Sequence, residues 1–170
     1  MLNAVHKHWP FVAALAAAAL LGVAHGFETF GHMAPCELCL KAREVYWVAL
    51  AAGLSGAAGM LYAPRLRPWI CAGLALIFAS GVALAAYHTG VERHWWPGPA
   101  ACTGGGGRVT AADLANFLKG GSHPVPQCDR PAFVFLGLSM ASWNGVAALI
   151  LTLGSVWAGR GEPVNGRTAP

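Results

Sequence analysis

Four stretches of this chain, Phe11 to Phe27, Val45 to Tyr62, Trp69 to Tyr87 and Phe133 to Trp157, contain no Asp, Glu, Lys or Arg. Each is long enough to cross a hydrocarbon core of about 30 Å as a helix. A composition that is 56% hydrophobic and 11% charged, with a mean hydropathy of +0.50, excludes an ordinary soluble domain. The pattern predicts an all-α membrane protein, a four-transmembrane-helix bundle over residues 1–160. Its spans are expected at about 10–27, 45–62, 69–88 and 132–157, separated on one side by loops at about 28–44 and 89–131. Trp9, Tyr62, Trp69, Tyr87, Trp95, Trp96 and Trp157 fall near the block ends, where amphipathic rings favour the water boundary. Residues 161–170 read as a disordered tail.

An even number of spans puts both termini on one side, with the link Ala63-Pro64-Arg65-Leu66-Arg67-Pro68. Lys7, Arg65, Arg67, Arg160 and Arg167 lie there, opposed only by Glu162, so positive-inside reasoning makes that side cytoplasmic. Lys41 and Arg43 sit close to the membrane on the other face and weaken the contrast. The net charge of +4 reflects this basic rim, and no nucleic-acid motif accompanies it. Lys7, the apolar run and Gly22-Val23-Ala24 partly resemble a cleavable leader, but losing that span would break the even count.

The cysteines support the same orientation. Cys36-Glu37-Leu38-Cys39 forms a tight pair, and Cys102 and Cys128 a wide one; both fall in the outer loops, where disulfides persist. Closing the four-residue CxxC ring removes about 2 kcal/mol of unfolded-chain entropy, against about 3.5 for the wide loop. Cys36 and Cys39 are thus poorly placed for bracing and well placed for thiol exchange. Cys39 begins the approach to the second span with Lys41 and Arg43 behind it, and helix amides and cations stabilise a thiolate there. A zinc site is the less favoured reading, since Cys36 and Cys39 would have to recruit His32, His88 or His94. Cys71, in the third span, reads as an inert buried residue.

Two disulfides only relay electrons, and no GxGxxG, haem or flavin signature is present to remove them. A bilayer quinone is the economical acceptor. Arg43 could hydrogen-bond its oxygen, or be an interfacial cation; His88, at the outer end of the third span, is a quinone neighbour or an interfacial histidine, and spacing alone favours the interfacial reading of each. In the long outer loop, Thr110-Ala111-Ala112-Asp113 has the form of a capping box before Leu114, Phe117 and Leu118, which predicts a short amphipathic helix. Gly104 to Gly107, directly after Cys102, read as a flexible tether. Gly53, Gly56 and Gly59 in the second span read as a helix-packing face.

Pro35-Cys36-Glu37-Leu38-Cys39 with Arg43, Tyr87-His88-Thr89-Gly90-Val91-Glu92, Pro99-Ala100-Ala101-Cys102, Cys128, and Phe135-Leu136-Gly137-Leu138-Ser139-Met140-Ala141-Ser142-Trp143-Asn144 together resemble the disulfide bond formation protein B family, DsbB. The resemblance runs from the first span through the fourth. It implies a bacterial inner-membrane thiol:quinone oxidoreductase that reoxidises a periplasmic DsbA-like dithiol oxidase. It also implies that Cys102 forms the mixed disulfide with that partner and Cys128 is its mate. Cys36 and Cys39 then reoxidise this pair, Cys39 faces the quinone, and Arg43 and His88 contact it; ubiquinone is the expected acceptor, with menaquinone as the alternative. Two features depart from the pattern: Ala42 stands where relatives often carry Gln or Glu, and Glu37 puts a carboxylate inside the CxxC. The competing readings are a four-span scaffold with structural disulfides, which gives the tight pair no purpose, and a conduit exporting reductant, which needs a cytoplasmic cysteine pair that lone Cys71 does not supply.

Overall fold

The computed structural model describes residues 2–99 and 128–160. Cys102, the glycine run Gly104 to Gly107, the short helix expected from Thr110 and the tail 161–170 lie outside the described residues. The elements are α1 (Leu2–Lys7), α2 (Trp9–Thr29), α3 (Glu37–Tyr62), a 3-10 turn (Pro64–Leu66), α4 (Arg67–Glu92), strands β1 (Val134–Phe135) and β2 (Leu138–Ser139), and α5 (Met140–Gly159). Four of these helices, α2, α3, α4 with its leading turn, and α5, are long and apolar enough to cross a membrane. Pro10 and Pro68 sit in the first turns of α2 and α4, where a missing N–H leaves no helical bond unmade.

Alanines fill much of the bundle interior between a few large side chains, and many large apolar side chains face outward. Trp9, Ala13, Ala17 and Leu21 recur every fourth residue along α2 and form one buried stripe against Tyr46, Ala49, Cys71, Leu74, Phe78, Leu151 and Ala158. Leu15, Leu54, Leu61, Leu76, Ile150 and Leu153 face outward, as suits a lipid surroundings in which association depends on close packing rather than on apolar burial. Helix α4 packs along α5 and α2 along α3, and the two pairs join mainly through α3 and α4. At one end the Trp9 indole donates to Ser155 Oγ (2.9 Å), whose own hydroxyl donates to Leu151 O (2.8 Å). Gly154 makes room for that indole: a Cβ there would lie 2.1 Å from the Trp9 ring.

The three glycines of α3 divide. A Cβ on Gly53 would meet Pro10 O at 2.7 Å and one on Gly56 would meet Ile70 Cγ2 at 2.6 Å, whereas Gly59 faces open space. A three-residue step falls short of a helical turn, so each glycine is rotated from the last and the third has left the interface.

The start of the last helix corrects the sequence reading. Residues 132–139, taken with the fourth span because they carry no charge, are instead a two-stranded hairpin in which Val134 pairs with Ser139 and Phe135 with Leu138. Leu136 (φ 50°) and Gly137 (φ 77°) both adopt the left-handed region that a tight two-residue hairpin turn requires and a helix forbids. Ser139 then N-caps α5, accepting the Ser142 N–H at 3.2 Å. Helix α3, by contrast, begins well before its charge-free block, carrying Lys41, Arg43 and Glu44 in its first turns.

Candidate active site

Cys36 is the N-cap of α3, in the extended conformation usual for that position (φ −77°, ψ 168°). Its sulfur accepts the Cys39 N–H at 3.3 Å, and its carbonyl accepts the Leu40 N–H at 3.0 Å. The sequence placed the helix amides at Cys39; in the structure they are directed at Cys36, and Cys39 lies one turn in. The Cys36 thiol is pushed well above the ordinary thiol range, first by the hydrogen bond shared with the Cys39 side chain, then by burial, then by the Cys39 charge. Cys36 is 6% exposed, while Cys39 is only partly buried and both are free thiols.

Three remote parts of the chain meet at Cys36. His88, in the last turns of α4, brings Nε2 to 3.7 Å from Cys36 Sγ. Cys128, 1% exposed and disulfide-bonded, arrives from the segment before the hairpin. The ligand atoms of Cys36, His88 and Cys128 all lie within 4.8 Å of one another, walled by Leu38 and Val91, with Cys39 and Leu84 at the margin. The expected site residues Cys36, Cys39, His88 and Cys128 are thus gathered at one end of the bundle, and Cys71 is at the other. Cys102 lies outside the described residues.

Arg43 is largely buried and has two partners. One turn beyond Cys39, it is 14% exposed, pairs with Glu28 through Nη1, and donates from Nη2 to Ala24 O at 3.2 Å. Both acceptors belong to the end of α2, so the guanidinium ties α3 to α2 beside the cysteines.

Sequence reasoning gave no role to Glu28, Glu92 or Ser139. Glu92, one turn after His88 on the same face of α4, has its carboxylate 3.9 Å from His88 Nε2 at 8% exposure and shares a hydrogen bond with the Ser139 side chain. Its spacing from His88 was the available signal. The Glu28 contact bridges two helices and had none. Behind the site, Tyr46 donates to Asn144 Oδ1 at 2.6 Å, and the Trp143 indole donates to Phe135 O at 3.0 Å, fixing α5 and the hairpin. Beyond α4 the chain turns back: Trp96 stacks on Tyr87, donates to Tyr87 O at 3.0 Å, and lies 2.0 Å from where a Gly90 Cβ would be. A groove of about 450 Å³ between α3 and α4, lined by Lys41, Glu44, Val45, Val48, Ile77, Ser80 and Leu84, meets the site only through Leu84.

Membrane-length helices whose one end gathers a CxxC dithiol, an imidazole and a disulfide-bonded sulfur define a membrane thiol–disulfide protein. The chain matches the family model described as Disulfide bond formation protein DsbB over residues 6–158, nearly its whole length, and it belongs to that family. No curated protein matches the chain. Membership carries a role in disulfide bond formation and a disulfide oxidoreductase activity.

Proposed function

We propose that this protein reoxidises a periplasmic DsbA-like dithiol protein and delivers the electrons to a membrane quinone, from the inner membrane and with both termini cytoplasmic. The observation that carries the reading is the approach of Cys36 Sγ and Cys128 Sγ to within 4.8 Å, although 92 residues separate them in sequence (128 − 36). A structural pair of disulfides gains nothing from such proximity, whereas exchange between pairs requires it.

The electron route balances in two exchanges. An incoming thiolate attacks Cys102, the Cys102–Cys128 bond breaks, and the electron pair leaves on Cys128. That sulfur attacks Cys36 of an oxidised Cys36–Cys39 pair; a Cys36–Cys128 bond forms and Cys39 leaves as a thiolate. The partner's second thiolate completes its own disulfide and frees Cys102, which closes back on Cys128 and returns the electrons to Cys36. His88 Nε2, 3.7 Å from Cys36 Sγ, is placed to share a proton with Cys36 when that sulfur is released as a thiolate.

The residues at this end fit a quinone. Cys39 is the partly exposed sulfur of its pair, and the Arg43 guanidinium has more N–H donors than its two acceptors use. Arg43 and His88 would hold a quinone there, and it would take two electrons and two protons as the reduced Cys36–Cys39 pair closes to its disulfide. Arg43 contributes fixed positive charge next to the sulfur that carries the electrons. Ubiquinone and menaquinone both have this chemistry.

Purified protein mixed with a reduced DsbA-like partner and excess ubiquinone or menaquinone analogue tests the reading. One quinone should be consumed per dithiol oxidised, and Cys39→Ser should stop it. Partner oxidation without quinone consumption, or neither, would return the chain to a conduit or a scaffold.

A further inference from the structure

We propose that the fully reduced protein binds one soft divalent cation, zinc or cadmium, between Cys36, His88 and Cys128, and that this ion locks the enzyme in its reduced state. The sequence offered only the CxxC pair as the sulfur donors of a metal site; the fold supplies a different second sulfur.

Geometry and charge both favour this set. Sulfur and nitrogen ligands at their usual distances from tetrahedral zinc stand about 3.5 Å apart, and two sulfurs about 3.8 Å. The Cys36 Sγ to His88 Nε2 distance is already 3.7 Å, and the Cys128 ligand atom is within 4.8 Å of both, so closing the site needs movements of about 1.3 Å at most. All three residues are buried. Two thiolates and a neutral imidazole cancel the charge of a dication, which removes the main obstacle to placing it against Leu38 and Val91. The Glu92 carboxylate, 3.9 Å from His88 Nε2, stands beside the set as a fourth donor.

The site is gated by oxidation state. While Cys128 is in a disulfide its sulfur is no thiolate and the set is incomplete. Reduction of both pairs opens it, the state that accumulates when thiols are plentiful and the electron acceptor is scarce. Binding involves no electron transfer: two thiol protons are released as two metal–sulfur bonds form. Because Cys36 and Cys128 are the two sulfurs that must exchange, the bound ion stops turnover. The inhibitory consequence rests on the exchange proposed above; the existence of the site does not.

The test uses the full-length protein in detergent, reduced with a phosphine that is then removed, and titrated with Cd²⁺ alone while the sulfur-to-cadmium ultraviolet band is followed. In a Cys39→Ser, Cys71→Ser, Cys102→Ser chain, which keeps only Cys36 and Cys128, one Cd²⁺ per chain should bind. Adding His88→Ala should weaken it at least about tenfold. Helical circular dichroism reports whether that chain is folded. If it is not, single variants of the otherwise unaltered chain read the same quantity: Cys128→Ser should weaken binding about tenfold or more and Cys39→Ser by less than about threefold. Binding lost with Cys39→Ser and kept with Cys128→Ser would place the ion on the CxxC pair and overturn the proposal. So would a band of equal strength in protein whose cysteines are oxidised. Quinone reduction measured without Cd²⁺ judges the proposed function separately: either can fail while the other stands.

Discussion

Cys36 and Cys71 are both free and both buried, at 6% and 0% exposure, at opposite ends of the same bundle. What surrounds them differs. Cys71, one turn into α4, packs among Leu74, Phe78 and Ala158, with a Cβ on Gly159 standing 3.3 Å from its own. Cys36 has a helix amide, an imidazole and another sulfur within reach. Burial therefore does not separate a structural cysteine from a reactive one; the polar atoms that face the sulfur do.

The sharpest way to break this contrast is to remove each sulfur. Cys36→Ser should reduce quinone-coupled thiol oxidation to background, while Cys71→Ala should leave the rate unchanged and cost about 1 kcal/mol of stability from the small cavity it opens. An equal loss of activity in the two variants would end the comparison. A smaller but still large effect is expected within the CxxC pair itself. The raised Cys36 thiol stays protonated through neutral pH and becomes a thiolate only above the ordinary thiol range. Iodoacetamide applied to reduced protein near pH 7.5 should thus label Cys39 more than about tenfold faster than Cys36, as read by peptide mass mapping, with Cys36 catching up only as pH rises.

Arg43→Lys keeps the charge and loses the planar fork that spans Glu28 and Ala24. It should raise the KM for quinone about fivefold to tenfold and leave the exchange between cysteine pairs, followed by quenching and mass mapping, at its original rate. The smallest effects compare two glycines that each seat a tryptophan. Gly90→Ala, two residues from His88, must displace Trp96 and should lower turnover a few-fold, whereas Gly154→Ala must displace Trp9 and should cost about 1–3 kcal/mol of stability with activity per folded molecule retained.

Much of the bundle could be read from the sequence because lipid leaves few alternatives: a long block without charge must be helical if it is to span. The same rule misled at residues 132–139, where absence of charge reflects a greasy hairpin, and Leu136-Gly137 was the overlooked turn signal. At the site, Cys36, Cys39, Arg43, His88 and Cys128 were singled out as candidates from spacing and from the DsbB resemblance. Their arrangement was not. Which sulfur caps α3 depends on where the helix begins, and Cys36 meets Cys128 only once α3, α4 and the chain before the hairpin are assembled. The Arg43 partner Glu28 lies fifteen residues away on another helix, a spacing that no local rule connects.

The hairpin also stands beside the site, joined to it through the Ser139 hydrogen bond to Glu92. Phe27 and Phe133 (ring centres 5.7 Å apart), Phe133 and Phe135 (6.5 Å) and Phe135 and Trp143 (6.4 Å) form a continuous file of rings, with Leu136 77% exposed at the tip. Trp143 is the amphipathic ring of this file, of the type that favours the headgroup boundary, and spans longer or shorter than the bilayer adjust by tilting. An anchor beside the sulfurs would leave a change in membrane thickness to be taken up at the far end and hold the sulfurs at a constant draught.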